Sequence, residues 1–259
     1  MGVPGRENPD PRARAAGASV MRIAALGDLH ARESANEAFR QLFASLHEHA
    51  DVVVLSGDLT DQGQPREAEA LAEALAVCRV PALGVLGNHD CDRGQEEDIR
   101  RILAHGGLKM LDTEPSVVDG VGFAGVKGFA GGFDSHILQP WGEEIVKRFV
   151  QETVNEAMRL EGALARLQTE QGIERSVAVL HYAPIRTTVE GEPPEIMPFL
   201  GSSRLVDSVD RYHVVAVIHA HAHHGSPEGT TPKGTPVYNV SLPVLRRTNS
   251  EAAFKIIEI

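Results

Sequence analysis

Short apolar runs that end in polar residues recur along the first third of the chain. Residues 22–26, 52–55 and 82–86 are each followed by glycine together with aspartate, asparagine or histidine. Two segments with helical periodicity, residues 35–49 and 66–77, separate these runs. Because strands that alternate with helices in this way build largely parallel sheets covered by helices, the pattern predicts an α/β protein.

The middle of the chain changes from this alternation to a hairpin and one long helix. Residues 116–126 predict two strands joined at Asp119-Gly120, a dipeptide that suits the tight turns of hairpins. Residues 143–171 are amphipathic and rich in acidic side chains, which predicts a helix in a solvated outer layer. Four more strands are predicted at residues 177–180, 214–218, 237–240 and 253–259. We therefore expect two packed sheets covered by helices.

The two ends of the chain carry further expectations. Residues 1–20 mix proline, glycine, arginine and alanine without periodicity, so we expect a mobile tail before a single domain over residues 21–259. The same segment lacks the apolar stretch of a secretory signal, which disfavours export. The last predicted strand fits either the final strand of the core or an edge at which two copies associate, so the oligomeric state stays open.

Composition and charge exclude several classes of protein. With 42% hydrophobic residues among 259, the chain can bury a large core. It lacks an apolar run of the roughly 18–20 residues that a membrane span needs. Its 36 acidic and 25 basic residues give a net charge of −11, which disfavours a broad surface for duplex nucleic acid. Two cysteines, Cys78 and Cys91, are too few for a disulfide framework and favour a reducing, cytoplasmic location.

Oxygen and imidazole donors follow most of the apolar runs. In parallel sheets the carboxyl ends of the strands meet at one edge, where ligands bind, so these donors are expected to converge. A mixture of carboxylate, amide and imidazole donors suits manganese, iron, zinc, nickel or cobalt better than calcium or magnesium. The candidate metal ligands are Asp28, His30, Asp58, Asn88, His181, His221 and His223.

The order of these residues resembles a known family. Asp28-x-His30, Gly57-Asp58-x-x-Asp61, Gly87-Asn88-His89-Asp90, His181 and Ala220-His221-x-His223 are similar to the five sequence blocks of the calcineurin-like metallophosphoesterase superfamily. The resemblance spans residues 28–223 and implies a four-layer α/β/β/α sandwich of two mixed sheets that holds two divalent metal ions. Manganese is the first choice for these ions, and iron, zinc, nickel and cobalt are the alternatives.

The resemblance also implies a role for each ligand. One metal would take Asp28, His30 and His223, the other would take Asn88, His181 and His221, and Asp58 would bridge both. A carboxylate can bridge two cations where a neutral imidazole cannot, and water held between them is acidified to a hydroxide nucleophile. Where the family usually has glycine, this chain has Ala220, so we expect a slight shift of the loop without loss of a ligand. His219-x-His221 is the alternative register for the last pair.

Two neighbouring residues are candidates for acid–base chemistry. The resemblance implies that His89 does not bind metal but faces the substrate phosphate and stabilises or protonates the leaving oxygen. Asp90 follows it directly and is predicted to keep the imidazole cationic and oriented; the alternative is a turn-forming aspartate. The roles of His136, a candidate lid residue, and of His219 and His224 stay open.

Substrate choice depends on the loop that follows His181. Arg186 and Arg204 lie there and are predicted to clamp a phosphate, with ordinary surface arginines as the alternative. Residues 175–249 hold seven lysines and arginines against six acidic residues, so the net negative charge lies elsewhere. A flexible single strand can therefore enter locally although the whole chain is acidic.

The same loop narrows the predicted substrate. Residues 181–185 and 199–202 resemble a bacterial branch of the superfamily, encoded with DNA-repair proteins, whose members are similar to manganese-dependent single-strand nucleases. We therefore predict a phosphodiesterase that acts on single-stranded DNA. The alternatives are a phosphodiesterase for cyclic nucleotides or glycerophosphodiesters, a phosphomonoesterase and, more distantly, a metal-stabilised binding scaffold.

Overall fold

The computed structural model describes residues 20–34, 36–112, 114–170, 173–250 and 253–259. The tail predicted for residues 1–20 lies, up to residue 19, outside the described residues. The strands, numbered in chain order, are β1 Arg22–Leu26, β2 Val52–Ser56, β3 Ala82–Val85, β4 Leu108–Met110, β5 Ser116–Val118, β6 Val121–Val126, β7 Arg175–Leu180, β8 Val214–His219, β9 Glu228–Thr230, β10 Pro236–Asn239 and β11 Lys255–Glu258. The α-helices are α1 Asn36–Ser45, α2 Pro65–Leu75, α3 Glu96–His105, α4 Glu144–Thr169, α5 Arg204–Arg211 and α6 Leu242–Thr248.

The strands form two mixed sheets. The first has the order β11-β1-β2-β3-β4, in which β1 to β4 are parallel and β11 is antiparallel to β1. The second has the order β5-β6-β7-β8-β10-β9, with four parallel strands in its centre and an antiparallel strand at either edge. The predicted hairpin is present as β5 and β6.

The sheets pack face to face between two layers of helices. Successive side chains of a strand point to opposite faces, so Ile23 and Val54 meet Phe123 and Val179 between the sheets. The opposite face of the first sheet packs against α1, α2 and α3, whereas that of the second packs against α4 and α5. This arrangement is the four-layer α/β/β/α sandwich, and it confirms the predicted fold class.

Some short elements differ from the sequence prediction. The segments β4, β9, α5 and α6 were not predicted, because three to eight residues are too few to show a period. The last strand, β11, pairs with β1, and its Ile257 is buried, so this strand belongs to the core. In the described part of the chain, the helices are all too short or too polar to cross a lipid bilayer.

The carboxyl ends of the two sheets meet at one place. The Ser56 hydroxyl at the end of β2 donates to the carbonyl of Leu180 at the end of β7. In return, Nδ1 of His181 donates to the Ser56 carbonyl over 3.0 Å. These hydrogen bonds join the loops that carry the predicted ligands, although the two strands are far apart in sequence.

Candidate metal centre

Four candidate ligands sit on unusual backbone. Asp28, His30, Asp58 and His221 have φ values of 56°, 44°, 48° and 68°, in the left-handed region. Residues with a side chain avoid this region at a cost of roughly 1–2 kcal/mol each. The tightly packed loops therefore hold these residues in strained positions, as is common at functional sites.

The first group of donors consists of Asp28, His30 and His223, whose ligand atoms all lie within 4.8 Å of one another. Nε2 of His223 is 3.5 Å from Oδ1 of Asp28. Within the described part of the chain this buried Oδ1 has no hydrogen-bond donor, while Oδ2 accepts a bond from the backbone N–H of His221. A buried carboxylate oxygen without a donor is costly unless a cation binds it, so the group fits a metal ion.

The second group consists of Asp58, His181 and His221, again within 4.8 Å. Because Nδ1 of His181 donates to Ser56, the lone pair of the neutral ring is on Nε2. That atom is 3.4 Å from Oδ1 of Asp58 and 2.8 Å from Oδ1 of Asn88. With the amide oxygen facing the ring, Asn88 and His181 both offer lone pairs to the same space, which fits a shared cation.

The two groups adjoin each other at Asp58. This side chain is buried, and its Oδ2 lies 3.9 Å from Nε2 of His30, in the first group. The ion pairs of Asp28 and Asp58 in the described chain are all with histidines. Two buried carboxylates whose ion-pair partners are only imidazoles leave an excess of negative charge, which bound divalent cations would offset.

The pKa values of His221 and Asp28 fit the protonation states that ligands need. Burial and the neighbouring His181 lower the pKa of His221 to about 3, so its ring is neutral at physiological pH. Burial raises the pKa of Asp28, but the close approach of His223 and the charges of the other nearby imidazoles outweigh it, and the net pKa is lowered. Neutral imidazoles and ionised carboxylates are the forms that bind metal ions.

His89 lies at the open rim of this site. Its ring is 4.6 Å from the ring of His30, centroid to centroid, and its side chain is 40% exposed. Nδ1 is 2.9 Å from the Asp61 carbonyl, which leaves Nε2 free for another partner. Burial lowers the pKa of His89, but the hydrogen bond to the Asp61 carbonyl and the charge of Asp58 raise it by more, so the net pKa is above the ordinary value. His89 also forms a donor group with His30 and Asp58.

Asp90 has other partners than expected. Its buried carboxylate accepts hydrogen bonds from the backbone N–H groups of Leu59, Thr60 and Gly87 and from the Thr60 hydroxyl, at 2.6–3.1 Å. The prediction that it orients His89 is therefore wrong, because its oxygens are used to join the loops after β2 and β3. Burial and the charge of Asp58 raise its pKa to about 6.

The contacts of His219 favour the predicted register of the last histidine pair. His219 is fully buried, and burial lowers its pKa to about 4. Nδ1 is 2.8 Å from the Ala220 carbonyl and Nε2 is 2.8 Å from the Thr188 hydroxyl, so both nitrogens are engaged away from the donor groups. His221 and His223 are members of those groups, and His219 is not.

Metal binding should distinguish these histidines. With manganese at about 100 times its Kd, the native protein should gain about 2.7 kcal/mol and melt roughly 5–10 °C higher for each ion bound. His221→Ala should lose the gain from the ion that its donor group would hold, whereas His219→Gln should melt lower without metal but keep the whole gain. Thermal unfolding with and without manganese measures both effects. Loss of the gain in His219→Gln as well as in His221→Ala would favour the alternative register, in which both residues are ligands.

Ala220, where the family usually has glycine, is accommodated without backbone strain. The left-handed residue of this loop is His221, and Ala220 is not among the residues with positive φ. Its methyl group packs instead against Gly27, where an added Cβ would lie 2.5 Å from the Cβ of Ala220. The loop thus tolerates alanine because the neighbouring strand end lacks a side chain.

This pair of residues gives a stability prediction. Gly27→Ala should cost about 1–3 kcal/mol, because it overpacks a fully buried contact. Adding Ala220→Gly should restore part of that loss, and only part, since the new methyl group would still approach Ser56 at 3.1 Å. Urea unfolding of the two single variants and the double variant measures the coupling. If the losses in stability of the two single variants add up in the double variant, the contact with Ala220 does not limit the side chain at position 27.

The two arginines predicted to clamp phosphate differ in their surroundings. Arg204 is half-buried, and its Nη2 donates to the Leu138 carbonyl over 3.2 Å, which ties α5 to the loop before α4. Arg186 is exposed and lines a cavity of about 300 Å³ together with His136, Phe133 and Met197. The contacts therefore favour Arg186 over Arg204 as a group available to a substrate.

Several residues that support the site had no signal in the sequence. Asn239 donates to the Ala222 carbonyl over 2.8 Å, and buried Glu192 accepts the backbone N–H of His224 over 2.6 Å. Both hold the loop of His221 and His223 from outside. Neither residue belongs to a recognisable sequence motif, so only the fold shows their role.

Comparison with known families agrees with this geometry. The model of the calcineurin-like phosphoesterase family matches residues 21–225, and the chain belongs to this family. The family and the donor groups together indicate a metal-dependent phosphoester hydrolase. A search of curated proteins found no match.

Solved structures share the fold at low sequence identity. A phosphopantetheinyl hydrolase from Mycobacterium tuberculosis is 16% identical with a TM-score of 0.62, over 92% of this chain and 95% of that one. GAP50, the anchor in the inner membrane complex of Plasmodium, is 12% identical with a TM-score of 0.53, over 87% and 73%. A purple acid phosphatase from yellow lupin seeds is 15% identical with a TM-score of 0.50, over 86% and 44%. At these identities the likeness shows the fold alone.

Proposed function

We propose that the protein is a phosphodiesterase that uses two divalent metal ions, preferably manganese, and cleaves single-stranded DNA. The observation that carries the metal-dependent chemistry is the pair of donor groups that adjoin at the buried carboxylate of Asp58. Asp28, His30 and His223 would hold one ion, and Asn88, His181 and His221 would hold the other. Manganese is proposed because these donors mix hard oxygens with imidazoles.

The residues of the chain have separate tasks in this proposal. When bound, two divalent cations offset the charge on the phosphoryl oxygens and acidify water for an in-line displacement. Asp58 keeps the two donor groups together. His89, with Nδ1 at the Asp61 carbonyl, can donate a proton from Nε2 to the leaving oxygen. Asp90 and Asn239 act only by positioning the loops.

Two features support DNA as the substrate. The donor groups lie at an open rim, where the side chains of His89 and His223 are 40% and 39% exposed, so a long chain can approach. Arg186 lines a cavity between the loop that follows His181 and residues 132–136, and its exposed guanidinium is suited to a further phosphate of a single strand. The net negative charge of the protein disfavours a broad surface for duplex DNA.

A cytoplasmic location stays a prediction, supported by two free thiols.

A comparison of substrates tests the proposal. Protein stripped with a chelator would receive manganese and, in separate reactions, single-stranded DNA, duplex DNA, cyclic AMP, a phosphopantetheinyl ester and p-nitrophenyl phosphate. The phosphopantetheinyl ester is included because a structural relative is named for that activity. Asp58→Ala serves as the blank for contaminating nucleases.

The outcomes separate the alternatives. Cleavage of single-stranded DNA that needs manganese and is absent from the blank would support the proposal. A higher kcat/KM for cyclic AMP or the phosphopantetheinyl ester would overturn the proposed substrate while leaving a phosphodiesterase. Exclusive cleavage of the monoester would overturn phosphodiester chemistry as well.

A further inference from the structure

Five residues from distant parts of the chain form one aromatic surface beside the donor groups. This aromatic flank consists of Lys127, Phe129, Phe149, Tyr182 and Phe199. The rings of Phe129 and Phe149 are 5.0 Å apart, those of Phe129 and Tyr182 are 5.9 Å apart, and those of Phe149 and Phe199 are 6.3 Å apart. The chain has only eight phenylalanines and three tyrosines, so this clustering does not follow from composition.

The aromatic flank touches the candidate metal centre directly. The Tyr182 ring is 4.5 Å from the ring of His221, and it is also 5.5 Å from that of His181. The backbone carbonyl of Phe199 lies 3.4 Å from Nε2 of His221. A group that stacks on these rings would therefore be next to a phosphate held at the donor groups.

The outer end of the aromatic flank is open to solvent. Phe199 is 56% exposed, and Phe149 and Phe129 are partly exposed. On α4, one turn before Phe149, Ile145 is 66% exposed. None of these four side chains belongs to a core cluster of the described chain, so burial in the core does not account for them. Exposed aromatic rings beside a polar site are typical of ligand contacts.

Lys127 gives the inner end of the aromatic flank a positive charge. Its Nζ lies 5.1 Å from the centroid of Phe129 and 5.3 Å from that of Tyr182. It also donates to the Gly128 carbonyl over 3.3 Å, which leaves further N–H bonds for a ligand. A cation beside clustered aromatic rings is a combination that binds single-stranded nucleic acid, with a ring taking a base and the cation taking a phosphate.

We propose that the aromatic flank binds an unpaired nucleobase next to the phosphodiester that is cleaved. The base stacks on the exposed ring of Phe199, to which the Phe149 ring stands nearly perpendicular, and Lys127 pairs with the phosphate of the same nucleotide. Because every base has a flat face, this subsite selects single strands without selecting a sequence. The inference rests on the proposed function, since it names the part of the substrate that the site recognises. An alkyl chain is the competing occupant.

Removal of either partner of the stack tests this inference. Phe199→Leu keeps an apolar side chain and the backbone carbonyl near His221 but loses the flat ring. On the DNA side, the base itself is removed. A series of short oligonucleotides carries one abasic position at successive places along the strand. Binding is measured without metal by the fluorescence of 2-aminopurine, which stacking quenches, and KM and kcat are measured with manganese.

We expect Phe199→Leu to weaken binding of the complete oligonucleotide roughly 5- to 100-fold, to reduce quenching and to raise KM without a comparable change in kcat. With the abasic position at the flank, native protein and variant should bind equally. Lys127→Met should weaken both oligonucleotides. Lys255→Met is its matched control, because Lys255 lies 5.3 Å from the Tyr238 ring in another part of the fold.

The binding and turnover measurements test the nucleobase subsite and the proposed function separately. If Phe199→Leu weakens the complete and abasic oligonucleotides equally, or neither, the nucleobase subsite is wrong even when the native protein cleaves DNA. If the variant impairs a phosphopantetheinyl ester more than DNA, an alkyl chain is the occupant and the inference is overturned. If the native protein cleaves no DNA under any condition, the proposed function fails, whatever the fluorescence shows.

Discussion

Asp58→Ala is expected to lower turnover of any phosphoester roughly 10³-fold or more, because the several kcal/mol that a metal pair contributes would be lost. Asp58 joins the two donor groups, with Oδ1 at 3.4 Å from His181 and Oδ2 at 3.9 Å from His30. Its Oδ1 also accepts the backbone N–H of His89 over 2.9 Å. The variant should bind fewer than two equivalents of manganese, measured by elemental analysis after gel filtration.

Two comparisons separate charge from structure in this result. Asp58→Asn keeps the size of the side chain and the bond from His89 but removes the charge, so it should lose nearly as much activity as alanine. Asp119→Ala is the control for backbone strain, since Asp119 has a φ of 45°, close to the 48° of Asp58, but lies in the β5–β6 turn. Retention of both metal ions and of activity within tenfold by Asp58→Asn would contradict the shared-carboxylate arrangement.

The second large effect is expected for stability, at Asp90. Asp90→Ala would leave three backbone N–H groups and one hydroxyl without the acceptor that now joins the loops after β2 and β3. Removal of one member of a buried charged network costs about 3–5 kcal/mol, or roughly 10 °C in Tm for a domain of this size. Thermal and urea unfolding of the metal-free protein measure this loss.

The same substitution should weaken metal binding, because the loops that it loosens carry Asp58 and Asn88. The close fit is shown at Gly87, where an added Cβ would lie 2.1 Å from Oδ1 of Asp58. Residues that support ligands typically contribute about 10- to 100-fold in metal affinity. Glu67→Ala is the comparison: this buried carboxylate accepts the backbone N–H groups of Gln62 and Gln64, just before α2, and does not join the loop after β2 to the loop after β3. It should lose stability but keep its manganese affinity; equal affinity in Asp90→Ala would contradict the positioning role.

The sequence by itself determined the strands that carry the site and the residue types at their ends. The strand predicted at residues 22–26 coincides with β1, and the polar residues after β1, β2 and β3 were recognised because strand periodicity is local. The five motifs also indicated the family, which the match to residues 21–225 confirmed. What the motifs could not give was the direction of each side chain.

Only the tertiary structure decided which groups meet. Asp90 lies next to His89 in sequence, yet its carboxylate bonds Leu59, Thr60 and Gly87. Among the clustered histidines, burial turns His219 towards Thr188, away from the donor groups. The aromatic flank joins four segments that no local pattern links. Periodicity and strand ends depend on neighbouring residues and can be predicted from sequence, whereas contacts between layers depend on how the two sheets and α4 pack.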